Sequence, residues 1–204
     1  MLDRLRIVEK YDITGILSVC PYYNRPGQSG LYQHFLRIAE ATPLPVIIYN
    51  IPYRTGVNLQ NDTLFKLAEL ENVVGVKDAC GDIKQTLNLL RNKPEGFSVL
   101  CGDDHLFYTM LANGGDGGIL ASAHLCADAF LEIHALVQQD DHKSALEKWR
   151  PVSEIISLLF CEPNPAPVKY CLHQMGLIKS HEVRLPLTEI SDTLKGRLDP
   201  WCRQ

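Results

Sequence analysis

Residues 45–78 read PVIIYNIPYRTGVNLQNDTLFKLAELENVVGVKD. The stretch opens on one apolar run, Pro45–Asn50, and closes on another, Val73–Asp78. Both are short, β-branched and almost uncharged until their last residues, which predicts strands. Between them, Asp62–Glu71 sets Leu64, Leu67, Ala68 and Leu70 on one stripe, as an amphipathic helix does. Asp62 is the expected N-cap. Apolar runs of this kind predict strands buried on both faces, as in a parallel sheet covered by helices.

The same alternation extends outward. Ile13–Cys20, Phe97–Cys101 and Gly118–Ala121 are further candidate strands, and Ser29–Thr42, Asp82–Asn92 and His105–Asn113 further helices. Gly114–Gly118 (GGDGG) reads as a tight helix-to-strand turn rather than a dinucleotide fingerprint, because it precedes a strand instead of opening a helix. After Ala127 the pattern changes to consecutive helices: Ala127–Gln139, Lys143–Cys161, Pro167–Met175 and a weaker one over Thr188–Lys195. Pro167 suits a first helical turn. The expected organisation is α/β: five βα units over residues 1–126, then a helical extension over 127–204.

Composition narrows the classes of function. The 204 residues are 46% hydrophobic and 22% charged, ordinary globular usage that excludes a disordered chain. A net charge of −4 without a basic stripe argues against nucleic acid. Met1–Tyr11 is charged throughout and is no secretory signal, and the longest apolar stretch, near Ile155–Cys161, is too short for a membrane span. The seven cysteines are odd in number, widely spaced and without C-x-x-C, so free thiols packed in a reduced, cytoplasmic protein are expected. The histidines form no metal motif, and Asp103-Asp104 is read as ordering a loop, so neither metal nor cofactor is expected.

Parallel α/β folds carry their chemistry at the carboxyl ends of the strands. Those ends read Pro21-Tyr22-Tyr23-Asn24, Tyr49-Asn50, Lys77-Asp78 and Gly102-Asp103-Asp104. Lys77 ends an apolar run on the same face as Gly75, whose missing side chain should leave space beneath it. Partial desolvation there favours the neutral amine that attacks a keto group. The same lysine could equally leave the sheet to pair with Asp78 or Asp82. Tyr49, facing the same space, could shuttle protons, or could be an aromatic closing one end of the core. Arg54, between Pro52 and Gly56, suits a carboxylate or an exposed surface.

In this order, PYYNRPGQSGLYQHF, PVIIYNIPYRTG, VVGVKDACGD, VLCGDD and EPNPAPVK resemble the dihydrodipicolinate synthase family of pyruvate-dependent class I aldolases, which also holds N-acetylneuraminate lyase. The resemblance implies a (β/α)8 TIM barrel, here represented by strands 4–8 of an N-terminally truncated chain, with a C-terminal helical extension. It implies Lys77 as the imine-forming residue with pyruvate, and no cofactor beyond that imine. By the same resemblance Tyr49 is the general acid/base, and Tyr23 reaches into a partner's site across a dimer interface. Arg54 would hold the carboxylate of L-aspartate 4-semialdehyde, and Ile119 would touch the bound pyruvate. The implied partners are these two small molecules and further copies of the chain, as a dimer or tetramer, with no nucleic acid and no membrane. The implied product is 4-hydroxy-tetrahydrodipicolinate, on the route to diaminopimelate and lysine. Arg54 favours a small acidic aldehyde over a sugar, because the neuraminate lyases usually lack it. The family's Gly-Thr-Thr-Gly-Glu-type element has no counterpart here, and Asp78 stands where glutamate is common. Other readings are an aldolase for a different 2-keto acid, or an inactive fragment acting as a binding subunit.

Overall fold

Five β-branched or glycine-containing runs pair side by side in sequence order, β1 to β5, and every pairing is parallel. The strands are β1 (Ile16–Val19), β2 (Val46–Asn50), β3 (Val73–Asp78), β4 (Ser98–Cys101) and β5 (Gly117–Gly118). The computed structural model describes residues 2–8 and 10–202. Met1 and Glu9 of the charged N-terminal stretch, and Arg203 and Gln204 at the end of the helical segment, lie outside the described residues. An order without reversal, with the right-handed crossovers that parallel strands almost always take, puts the connecting helices on one side of the sheet. That is the arrangement of a (β/α) barrel wall rather than of a doubly wound sheet.

The chain forms two compact units. One comprises 1–103 and 109–118, the other 104–108 and 119–204. In the first, α1 (Leu2–Val8) precedes β1, and α2 (Gln28–Ala41) follows it. Helix α2, predicted over Ser29–Thr42, buries Leu31, Phe35, Ile38 and Ala39 on one stripe. A one-turn helix, α3 (Pro52–Thr55), and then α4 (Asn61–Leu67) link β2 to β3, and α5 (Ile83–Asn92) links β3 to β4. Asp82 caps α5 by accepting from the backbone N–H groups of Lys84 and Gln85. Asp62 does not cap α4. The helix starts one residue earlier, behind Gln60, because Asn61 is drawn in by bonds to the Gln85 carbonyl (2.9 Å) and Asn88 Oδ1 (2.9 Å).

Cross-strand rows show how the faces differ. Ser18, Ile48, Val76 and Val99 lie side by side and are all buried. The row beneath the opposite face, Leu17, Ile47, Gly75 and Ser98, is less covered: Leu17 is 46% exposed, and Ile47 and Ser98 are half-buried. Burial on both faces, expected from the apolar runs, therefore holds for one face only. The helices supply a layer on that side, and the other side keeps solvent access.

Two strand limits also differ from expectation. Residues 13–15 stay outside β1, since the Ile13 N–H bonds locally to the Tyr11 carbonyl and the ladder begins at Ile16, which bonds Pro45. The fifth strand is Gly117–Gly118 instead of Gly118–Ala121. Past it the backbone turns into α7, where Ser122 donates from its N–H (2.7 Å) and its hydroxyl to Asp104. Asp104 is thus the loop-ordering group expected of it. The predicted helix over His105–Asn113 is a 3-10 turn, Asp104–Leu106, followed by α6 (Phe107–Leu111). The turn after α6 closes at Gly114, whose φ of 87° is left-handed and whose N–H bonds the Leu111 carbonyl at 3.0 Å.

The second unit contains α7 (Ala123–Gln138), α8 (His142–Leu159), α9 (Ala166–Gln174) and α10 (Asp192–Leu198). Helix α10 lies later than the predicted Thr188–Lys195, because Ser191 caps it by accepting from Leu194 N–H while itself donating to Glu162. Ile155, Leu159, Tyr170, Cys171, Ile190 and Leu198 share its core. None of the seven cysteines is in a disulfide; four are buried, Cys80 and Cys126 are partly covered, and Cys161 is exposed, contrary to uniform packing. Among the described residues no helix is long and apolar enough to cross a membrane.

Candidate active site

One cross-strand row brings two of the predicted site residues together. Val19, Tyr49, Lys77, Leu100 and Gly117 are register partners across all five strands, on the less covered face. Tyr49 and Lys77 are therefore direct neighbours at the carboxyl ends of β2 and β3. The Lys77 ε-amino nitrogen lies over the Tyr49 ring, 4.1 Å from its centroid. Both side chains are half-buried. A ring face at that distance attracts the lysine head by its quadrupole while the amine is protonated.

Space for the lysine does not come from Gly75. A β-carbon there would stand 2.6 Å from the Ser98 carbonyl oxygen and 3.0 Å from Ser98 Cβ, so Gly75 lets β4 approach β3. The space comes from Gly102, where a β-carbon would stand 2.9 Å from both Cγ and Cε of Lys77. Sequence reading placed Gly102 at a strand end without giving it a task. Its spacing from Leu100, the register partner of Lys77, is the signal that could have done so.

On the opposite face, Asn50 and Asp78 are partners in the next row, and both are buried. Asp78 Oδ2 accepts from the Thr86 hydroxyl (2.6 Å) and from the Cys80 thiol (3.5 Å). Burial pushes the Asp78 carboxyl up from its ordinary value, against the opposing pull of the Thr86, Cys80 and Asn50 bonds. Burial, with Asp78 beside it, also pushes the Cys80 thiol up to about 11. Asn50 accepts from Leu59 N–H (3.0 Å) and donates to Asn58 Oδ1 (2.9 Å), fixing the segment after α3 to the end of β2. Gln85 extends the clamp by donating to the Leu59 carbonyl (2.9 Å). Sequence reading did not single out these amides, since their partners come from three separate elements.

The remaining predicted residues lie on loops. Arg54 is exposed on α3, a single turn begun by Pro52 and closed by Gly56, whose N–H bonds Pro52 at 2.8 Å. Gly56 has φ 75°, and a β-carbon there would stand 2.8 Å from Arg25 Nε. The loop after β1 thus lies against the turn that carries Arg54, and brings a second guanidinium to it. Tyr23 on that loop is 94% exposed at φ 74°. Ile119 follows β5 directly and belongs to the second unit.

A lysine and a tyrosine neighbouring at strand ends, with the family motifs around them, agree with one comparison. The sequence matches the dihydrodipicolinate synthetase family over residues 6–201. The chain belongs to that family. The 4-hydroxy-tetrahydrodipicolinate synthase 2 of Clostridium acetobutylicum is 56% identical over 199 residues, 98% of this chain and 70% of that protein. The 4-hydroxy-tetrahydrodipicolinate synthase of Neisseria meningitidis serogroup B is 44% identical over 190 residues, 93% of this chain and 65% of that protein. The fold of the chloride-inhibited dihydrodipicolinate synthase of Acinetobacter baumannii, solved in complex with pyruvate, superposes with a TM-score of 0.92 at 39% identity. That match covers 98% of this chain and 68% of that one. This family member thus spans about two thirds of the length of the relatives it matches.

Proposed function

We propose that the chain is a Schiff-base lyase that condenses pyruvate with L-aspartate 4-semialdehyde to 4-hydroxy-tetrahydrodipicolinate. The observation that carries this reading is the Lys77 amine poised over Tyr49 on the less covered face of the sheet. The neutral amine attacks the keto carbon of pyruvate, and water leaves as the imine forms. Loss of a methyl proton gives an enamine, whose carbon attacks the aldehyde. The amino group of the second substrate then displaces Lys77 from the imine, closing the ring and freeing the lysine. Tyr49 serves as the general acid/base for these transfers. Arg54 offers a planar fork to the carboxylate of the semialdehyde. The covalent imine takes the place of a cofactor.

The five strands correspond in this reading to strands 4–8 of an eight-stranded barrel, and their unreversed order supports it. Tyr23 completes a site in a second copy. Support for that comes from the exposure of Tyr22, Tyr23 and Tyr53, at 65%, 94% and 92%, since exposed aromatic side chains concentrate at interfaces. Free thiols throughout accord with a cytoplasmic setting.

The test is direct. Incubation with pyruvate, borohydride reduction and peptide mass spectrometry should find a reduced pyruvyl adduct on Lys77. A coupled assay should then show consumption of aspartate semialdehyde. An unmodified Lys77 in folded protein overturns the Schiff-base reading; an adduct without semialdehyde turnover moves the assignment to another aldolase of the family.

A further inference from the structure

We propose that Gly102 is a positioning residue for Lys77: by lacking a side chain, it leaves the space at the end of β4 in which the lysine stem lies. The inference rests on Lys77 as the imine-forming residue. Gly102 follows β4 on the same face as Leu100, the register partner of Lys77. Its N–H bonds the Asp78 carbonyl at 2.7 Å, which draws it against β3 immediately beside the lysine. A β-carbon at 102 would stand 2.9 Å from Lys77 Cγ, 2.9 Å from Lys77 Cε and 3.1 Å from the Asp78 carbonyl oxygen. Contacts that short cannot stand, so something must give way.

What gives way is specific to this glycine. Gly56, Gly81, Gly96, Gly114, Gly117 and Gly176 are held by positive φ, where any side chain is strained. Gly75 would drive a methyl into the backbone of β4. Gly102 is not among the positive-φ residues, and the two nearest atoms its β-carbon would meet belong to a side chain with rotatable bonds, with the Asp78 carbonyl oxygen next at 3.1 Å. The sheet can therefore accept a methyl there by letting the lysine swing aside. The displaced amine would leave its place over the Tyr49 ring, and misplacing a reacting atom by about 1 Å can slow a step by up to about a hundredfold. Gly102 thus matters to the chemistry far more than to the fold.

The test compares the unaltered chain, Gly102→Ala and, as a glycine control, Gly27→Ala, whose φ is −70° and whose β-carbon would meet nothing within 4 Å. Each is titrated with pyruvate, and the rate of borohydride-trapped adduct on Lys77 is measured, with circular dichroism to follow folding. Gly102→Ala should retain the fold and the half-saturating pyruvate concentration while its maximal trapping rate falls about 10- to 100-fold. Gly27→Ala should trap as the unaltered chain does. Trapping by Gly102→Ala at the unaltered rate overturns the inference alone, whereas no adduct in the unaltered chain overturns the functional reading and this inference with it. A crystal structure of the reduced adduct of the unaltered chain gives a second measurement that needs no variant to fold. Its lysine stem should remain in contact with Gly102, and a stem more than about 4.5 Å away overturns the inference.

Discussion

The two faces of the sheet are built from the same kinds of residue and do different work. On one, Ser18, Ile48, Val76 and Val99 form a buried row, with the Asn50 and Asp78 side chains locked into hydrogen bonds just beyond it. On the other, Leu17 and Ile47 retain exposure, and the row ahead of them holds Tyr49 and Lys77. Burial on the first face supplies stability, at about 25 cal/mol per Å² of apolar surface removed from water. Access on the second is what the proposed attack by Lys77 on a small keto acid requires. Adjacent residues of one strand, Ile47 and Ile48, are identical in type and opposite in this respect.

Substitutions should separate the faces. The largest expected effect is on chemistry. Lys77→Ala should abolish the pyruvyl adduct completely while moving the urea unfolding free energy by no more than about 1 kcal/mol, because the side chain is only half-buried. Unfolding of Lys77→Ala would break the division between a stabilising and a reactive face. Ile48→Ala should cost about 2–5 kcal/mol, since its side chain is fully enclosed. Ile47→Ala should cost less than half as much, and equal urea midpoints for the two would show that the faces are equivalent.

Gly75→Ala sharpens the contrast with Gly102. Its methyl meets the backbone of Ser98, which cannot rotate away, so a loss of about 1–3 kcal/mol in stability is expected. The smallest effect concerns Asp78. Because burial raises its carboxyl in the folded chain, its contribution to stability is present below the ordinary value of 3.8 and is lost as pH rises through the folded value. Urea unfolding of Asp78→Asn and of the unaltered chain, compared from about pH 7 down to about pH 4, should show the difference shifting toward the unaltered chain as pH falls. A difference independent of pH would mean that Asp78 titrates alike in both states.

The strands were legible because VIIYN and VVGVKD are β-branched and bounded by polar residues, and so were Lys77 and Tyr49, each the last or next-to-last residue of such a run. Period-2 alternation correctly put them on one face. It could not say that this face is the less covered one, because hydrophobicity is alike on both. Asp62 looked like a cap by type, but the bonds from Asn61 to α5 reset the start of α4, and no local pattern carries that information. The task of Gly102 was hidden for the same reason. It depends on where Lys77, 25 positions earlier in the chain, lays its stem. The misplaced fifth strand followed from reading Ile119–Ala121 as sheet, when Asp104 holds the backbone at Ser122 in another direction.

The strand order has a consequence for how the molecule is made. Each strand pairs with the one synthesised just before it, so none must wait for a later segment to find its neighbour. Successive closures span loops of similar length, and their entropic cost, which grows only with the logarithm of that length, is nearly level from step to step. A nascent chain leaving the ribosome can therefore lay down β2 on β1, β3 on β2 and so on. At each stage the growing edge is the template for the next addition, and the pair that carries the amine and the phenol is assembled at the second step, before β4 and β5 are added.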